Sequence, residues 1–209
     1  MILYGYWRST TSLRVRAALN LKGVVYETRS VNLLDGAQRA PEYAALNPGR
    51  GVPTLVLDDG TVLTQSMAIL DWLEETYPDP ALLPSDPVAR AHVRAAAQVI
   101  AMDIHPVNNL RVVGHLKRLG HSADEVRDWM CQWMAEGFSA FQRLIAPTGR
   151  FGFGDAPTQA DLCLVGQMVN ARRWGLDMTP FARLVEIDEA ARAIPAIHAA
   201  LPEHQPDAQ

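Results

Sequence analysis

Cysteine is scarce: only Cys131 and Cys163 occur among 209 residues. Two thiols give no disulfide framework, which excludes a small stapled secreted domain and suits a reducing, cytoplasmic setting. Long apolar runs are missing too, with nothing near the roughly 20 residues needed to cross a bilayer. No excess of positive charge exists, because 19 Lys and Arg against 23 Asp and Glu leave a net charge of −4. That balance, with a pI of about 5.8, excludes the basic footprint of a nucleic-acid binder. The opening residues lack a charged region followed by an apolar one, so no leader is expected. Internal repeats and low-complexity tracts are absent as well. What remains, 48% hydrophobic and 20% charged, is ordinary for a water-soluble globular protein of one large or two small domains.

Two halves of different character follow one another. The apolar run 1–7 reads as a strand, and Val15, Ala18, Leu19 and Leu21 then recur at helical spacing until Lys22-Gly23 stops the pattern. The β-branched stretch 24–31 predicts a second strand, and Gln38 to Leu46 a short helix broken by Asn47-Pro48-Gly49. A strand at 51–57, an Asp58-Asp59-Gly60 turn and a strand at 61–64 form a hairpin. Ser66 is the expected N-cap of a helix from Met67 to Tyr77 that buries Ile69, Leu70 and Leu73. This β-α-β-α-β-β-α order is that of a thioredoxin-like domain, residues 1–79.

Four prolines between Pro78 and Pro87 mark a linker, 80–87. Residues 88–209 read as an all-helical domain. Val88 to Leu119 is expected to be helical with a kink at Pro106, and Ala123 to Ile145 to be a long helix. Within the latter, Trp129, Trp133, Phe138 and Phe141 are core candidates, and Cys163 is a core candidate further on. Thr158 and Asp161 make a capping box, with the helix running to Trp174 and stopping at Gly175. After a mostly helical stretch from Phe181 to Leu201, the polar tail is expected to fray.

The chemistry concentrates in Arg8-Ser9-Thr10-Thr11-Ser12, where a strand delivers four consecutive hydroxyls to a helix start. Helix N-termini carry unpaired N–H groups and partial positive charge, so they stabilise anions, a thiolate among them. On residues alone an equal alternative stands: one of the four is an N-cap and the others fill a loop. Around Pro106 a second polar group gathers, Asp103, His105, Asn108, Asn109 and Arg111. No second ligand lies near His105 at zinc-like spacing, so no metal is expected.

The run Arg8-Ser9-Thr10-Thr11-Ser12-x-Arg14-Val15-Arg16 resembles the signature of the zeta-class glutathione transferases, Ser-Ser-Cys-x-x-Arg-Val-Arg after an arginine. Asn47-Pro48 leading to Val52-Pro53, the Gln65-Ser66 pair, the Asp103 to Arg111 cluster and the segment Gly154 to Asp161 extend the resemblance over essentially the whole chain. The family's usual cysteine is replaced by Thr11, and Gly49-Arg50 stands where a glutamine is common, so one glutathione contact departs from the pattern.

The resemblance implies a homodimer that uses glutathione as cofactor. A thiol of pKa about 8.5 is only slightly ionised at neutral pH, and lowering that by two units takes about 2.7 kcal/mol. Ser9 is the first candidate to hold the thiolate, with Thr10 and Thr11 as alternatives. Val52, before a cis-Pro53, would pair with the tripeptide backbone, and Gln65 and Ser66 would hold its γ-glutamyl carboxylate at a helix N-terminus. By the same resemblance Asp103 reaches the γ-glutamyl amine of a partner subunit's site and His105 the glycyl carboxylate, with Asn109 nearby. Arg8, Arg111, Arg172 and Arg173, with Asn108, suit a dicarboxylate substrate, because guanidinium groups pair bidentately with carboxylates. The implied activity is glutathione-dependent cis–trans isomerisation of maleyl dicarboxylates, maleylacetoacetate first and maleylpyruvate second. A generalist transferase or dehalogenase and a non-catalytic glutathione-binding protein are the alternatives.

Overall fold

The computed structural model describes residues 1–209. Its residues fall into two compact units, Met1–Leu82 together with Arg192–Gln209, and Leu83–Ala191. Residues 192–209, read from the sequence as the end of the helical domain, therefore group with the sheet.

In the first unit the elements run β1 (Ile2–Gly5), α1 (Thr10–Leu21), β2 (Glu27–Ser30), α2 (Pro41–Leu46), β3 (Thr54–Val56), β4 (Val62–Thr64) and α3 (Ser66–Thr76), with α9 (Pro195–His198) near the end of the chain. The sheet order is β2-β1-β3-β4, and only the β1–β2 pair is parallel. A parallel pair needs a crossover, which α1 supplies; the β3–β4 hairpin needs only its tight turn. Leu3 and Leu55, in register across β1 and β3, are fully buried, as are Val15, Ala18 and Leu19 of α1. Ile69, Leu70 and Leu73 of α3 are also fully buried, and α3 packs on α1. Burying such side chains contributes about 1.5–3 kcal/mol each. At the far end of α1 the Lys22 ammonium donates to Glu74 Oε2 at 2.9 Å and to the carbonyls of Tyr77 and Pro80, so one buried charge ties α1 to the exit of α3.

The second unit holds α4 (Pro87–Gln98), α5 (Leu110–Arg118), α6 (Ala123–Leu144), α7 (Gln159–Trp174) and nearly all of α8 (Ala182–Arg192). Its central helix is α7, buried along almost its whole length from Gln159 to Met168. Asp161 fixes its start. The carboxylate accepts from the Thr158 N–H at 2.7 Å and from the Gly152 N–H at 2.9 Å, while Gly175 closes the far end in the left-handed region at φ 71°. Phe138 and Phe141 of α6 are fully buried, whereas Trp129 and Trp133 are half-buried.

The single kinked helix expected over 88–119 is instead three pieces. After α4, residues Val99–Ile104 form a π-helical turn, 105–108 form a hydrogen-bonded turn, and Asn109 caps α5. Proline has no N–H to give and its ring crowds the carbonyl four residues back, so the chain breaks at Pro106 rather than bending through it. The tail is not frayed: α9 packs on α1, and Leu201 and Pro202 are buried.

Candidate active site

The hydroxyl run lies where β1 turns into α1. Ser9 has extended backbone (φ −74°, ψ 121°) and N-caps α1, its Oγ accepting from the Ser12 N–H at 3.2 Å. Ser9 Oγ and Thr11 Oγ1 are 2.9 Å apart, and the Thr11 hydroxyl donates to the Val52 carbonyl at 2.8 Å. Each hydroxyl has one proton. With the proton of Thr11 on Val52, the Ser9–Thr11 bond has Ser9 as its donor. The bonds therefore run in one direction, from the Ser12 N–H through Ser9 and Thr11 to Val52. Accepting an N–H polarises the Ser9 hydroxyl into a better donor. An anion arriving at Ser9 need only displace Thr11 as acceptor, whereas at Thr11 it must break the tie to the backbone. Ser9, Thr10 and Thr11 are all buried.

No acidic side chain sits in the first turn of α1 or of α3, in contrast to α6 and α7, whose capping boxes use Glu125 and Asp161. The expected cap at α3 is corrected by one residue. Gln65 is its N-cap and Ser66 its first helical residue, and the Gln65 side chain makes no capping hydrogen bond. Gln65 holds φ at 67°, sparsely populated for a residue with a Cβ, and such outliers cluster at ligand sites. Ser66 is buried and Gln65 exposed. Two helix N-termini of the first unit thus keep their positive ends unopposed by acid, suited to anions.

The Val52–Pro53 peptide is cis. The Val52 carbonyl, expected to face a ligand, is the acceptor for Thr11. Gly51 is held just before it: its carbonyl accepts from Tyr43 Oη at 2.5 Å and from Asn47 Nδ2 at 2.9 Å. Both side chains also reach Thr54 Oγ1. Burial pushes the Tyr43 phenol above its ordinary pKa, partly offset by the bonds to Thr54 and Asn47, so it stays a donor. The sequence shows Asn47 as a helix breaker and as part of the Asn47-Pro48 match, with no sign of these bonds, and gives Tyr43 no signal. Their function is to lock the segment that carries Val52. Arg8 stacks on the neighbouring Trp7 ring, its guanidinium carbon 5.2 Å from the ring centroid.

In the second unit α6 is the platform for the polar cluster around Pro106. Trp129 Nε1 donates to the Val107 carbonyl at 2.9 Å, and Asn108 Nδ2 donates to the Met130 carbonyl at 3.2 Å. Gly137 lets Ile104 lie against the helix, since a Cβ there would stand 2.2 Å from Ile104 Cγ1. Two of the five candidates are thereby occupied in structure: buried Asn108 anchors the turn, and Asn109 caps α5 by accepting from the Arg111 N–H at 3.1 Å. Asp103 and Arg111 are exposed, and His105 is half-buried.

The two arginines that end α7 have separate partners. Arg172 pairs with Asp188 Oδ2 at 2.5 Å, and Asp188 is fully buried. Arg172, expected among the substrate-binding arginines, is thus engaged with a buried carboxylate of its own unit. Arg173 bonds to Asn170 Oδ1 one turn back and is otherwise exposed. Cys163 is fully buried, as expected for core; the Cys131 thiol reaches the Trp174 carbonyl at 3.5 Å and is pushed above its ordinary pKa by burial. No group of three or more His, Cys, Asp or Glu is arranged to hold a metal ion.

Comparison with known proteins bears on the family and the fold. The family described as "Glutathione S-transferase, N-terminal domain" matches residues 8–76. A maleylacetoacetate isomerase of Pseudomonas aeruginosa is 45% identical over 209 residues, covering 99% of this chain and 98% of the relative. Among solved structures, the holo form of a maleylpyruvate isomerase, a bacterial zeta-class glutathione transferase, superposes with a TM-score of 0.97 at 44% identity, covering 100% of both chains. A maleylacetoacetate isomerase of Methylobacterium extorquens AM1 with bound malonate and glutathione gives 0.95 at 40% identity, again over 100% of both.

Proposed function

The chain belongs to the zeta class of the glutathione S-transferase family, and from that premise we propose that it is a glutathione-dependent cis–trans isomerase of maleyl dicarboxylates. Maleylacetoacetate is the first substrate. Maleylpyruvate is the second, favoured by the TM-score of 0.97 to a maleylpyruvate isomerase.

The observation that carries the reading is the directed hydrogen-bond series at α1, in which Ser9 accepts the Ser12 N–H and offers its proton to a replaceable acceptor. In the reaction we infer, the bound glutathione thiolate takes the place of Thr11 as acceptor at Ser9. It adds to one carbon of the cis double bond, and the π electrons move onto the conjugated carbonyl as an enolate. The former double bond is now single and rotates. Collapse of the enolate re-forms the double bond as trans and expels the thiolate. Nothing is consumed, so glutathione acts as a cofactor. A substrate with two carboxylates, passing through an enolate, needs positive charge; Arg8, Arg111 and Arg173 are our assignments for it. For glutathione we assign Val52, Gln65, Ser66 and His105 as contacts, with Asp103 completing the site of a partner subunit in a homodimer. No helix is long and apolar enough to cross a membrane, and a cytoplasmic location fits an enzyme that works with reduced glutathione.

Turnover of maleylacetoacetate and maleylpyruvate, with and without glutathione, tests the function. Strict glutathione dependence is expected, and isomerisation at an equal rate without it would overturn the mechanism. Arg8→Met, Arg111→Met and Arg173→Met, made singly, should each lower kcat/KM for maleyl substrates by roughly ten- to a hundredfold, since a charge-assisted hydrogen bond contributes about 1.5–3 kcal/mol. Conjugation of a neutral electrophile should change far less. Equal losses on both substrate types would point to damaged glutathione binding instead.

A further inference from the structure

Four residues, Tyr6 to Ser9, connect β1 to α1, and their backbone is held from outside the connection. Internally only the Ser9 N–H closes onto the Tyr6 carbonyl, at 3.0 Å. The Trp7 carbonyl accepts from Arg16 Nη2 at 3.1 Å, and the Tyr6 carbonyl from Arg16 Nη1 at 3.4 Å. The Trp7 N–H donates to Asp207 Oδ2 at 3.1 Å, across 200 positions of sequence. That same oxygen accepts from the Ser30 hydroxyl at 2.6 Å.

The chain around Asp207 is itself fastened. Arg16 Nε and Nη2 both donate to the Ala200 carbonyl, at 3.1 and 3.0 Å. Asn20 Nδ2 donates to the Ala196 carbonyl at 2.9 Å, and Gln205 Nε2 folds back onto the carbonyls of Ala199 and Leu201. Burial lowers the Arg16 pKa to about 10, with Asp207 among the groups that oppose the shift. The guanidinium remains charged at neutral pH.

We propose that Asp207 is a positioning residue for thiolate stabilisation: through the Trp7 N–H it fixes the connection that aims the Ser9 hydroxyl. The proposal rests on the reading of Ser9 as the thiolate's donor. Both backbone polar groups of Trp7 are held by side chains, Arg16 on the carbonyl and Asp207 on the N–H, so the connection enters α1 in one conformation. Releasing the N–H frees the dihedrals that lead into the Ser9 cap. Misplacing a donor by a fraction of an ångström weakens its interaction with a localised charge.

The test measures the pKa of bound glutathione from thiolate absorbance, together with kcat and KM. Asp207→Ala should raise the bound-thiol pKa by about half a unit to one unit, the equivalent of one ordinary hydrogen bond. At a pH below that pKa, kcat should fall about three- to tenfold with KM nearly unchanged. Asp207→Asn keeps an acceptor for the Trp7 N–H and should restore most of both. Ser30→Ala, at an exposed position, removes the second bond to the same oxygen and should shift the thiol in the same direction by less; it carries the test if Asp207→Ala does not fold. An unchanged thiol pKa in Ser30→Ala and in any folded Asp207→Ala, while Ser9→Ala shifts it in the same assay, overturns the role of Asp207 and leaves that of Ser9. An unchanged value in Ser9→Ala removes the premise, and the proposal with it.

Discussion

Replacing Gly137 with alanine should destabilise the protein, although alanine is the better helix former. In an exposed helix interior the exchange gains roughly 0.5–1 kcal/mol. Here the added Cβ would lie 2.2 Å from Ile104 Cγ1 and 2.4 Å from Cδ1. Carbon atoms pack best about 3.5–4.0 Å apart, so a gap of more than an ångström has to open. Ile104 is 1% exposed and cannot swing into solvent. Overpacking of this kind costs about 1–3 kcal/mol, and with Ile104 unable to yield the upper part of that range applies, which leaves a net loss of about 2 kcal/mol after the propensity gain. For a chain of this length that is a fall of about 4–8 °C in Tm. Urea and thermal unfolding measure it. Ile104 lies between Asp103 and His105, so the displaced turn should also weaken glutathione affinity, readable by titration. The double variant with Ile104→Ala is the control for mechanism. Ile104→Ala alone should cost about 2–5 kcal/mol, and the pair should be more stable than the sum of the two by about 1–3 kcal/mol. A rise in Tm for Gly137→Ala, or strict additivity in the double variant, would refute the steric argument.

Other outcomes follow from single side chains. Ser9→Ala should raise the pKa of bound glutathione by about one to two units, the value of a hydrogen bond to a charged acceptor, and Thr11→Val should raise it by less; a larger effect at Thr11 would reverse the order in which the hydroxyls act. Asp161→Ala strands the Gly152 and Thr158 N–H donors in the interior, so urea unfolding should show a loss of about 2–5 kcal/mol; a loss under about 1 kcal/mol would mean that other groups satisfy those donors. At the start of α6 the backbone N–H of Ser122, then its hydroxyl, holds the Glu125 carboxyl below its ordinary pKa. Its stabilisation is therefore full above the unfolded carboxyl value and is lost as pH falls through the lowered folded value. The stability gap between parent and Glu125→Gln should close on acidification across that range, and a gap independent of pH would sink the assignment.

Local signals with a strong physical cause were legible in the sequence. The Thr158–Asp161 box and Gly175 bound α7 at the residues expected, because a cap is written in three or four adjacent positions. The hydroxyl run at α1 was equally plain, but its hierarchy was not. That depends on Val52, 41 positions away from Thr11, accepting one particular proton. Ser66 was misplaced by one because a serine before an apolar run reads as a cap, while the true cap, Gln65, adopts a backbone conformation that composition disfavours. Arg172 looked like its neighbour Arg173 until Asp188, 16 positions on, proved to be its partner. The strand read over 24–31 is only Glu27–Ser30, all four residues exposed at the edge of the sheet, while the valines that suggested it, Val24, Val25 and Val31, lie outside it. The break read at Pro106 begins earlier, in the π turn Val99–Ile104, because i→i+5 bonding has no composition signal comparable to that of proline.

The partnership of the first 82 residues with the last 18 also sets an order of events during synthesis. A ribosome adds about 5–20 residues per second, so roughly 10–40 seconds separate the appearance of Trp7 from that of Asp207, its partner 200 positions later. Once Thr76 is made, the nascent sheet, α1 and α3 have all their own residues but still wait for α9 and the tail. The connection that leads into Ser9 is left with Arg16 alone, and Arg16 is still without the Ala200 carbonyl, 184 positions ahead. The part of the molecule made first is thus among the last to become rigid.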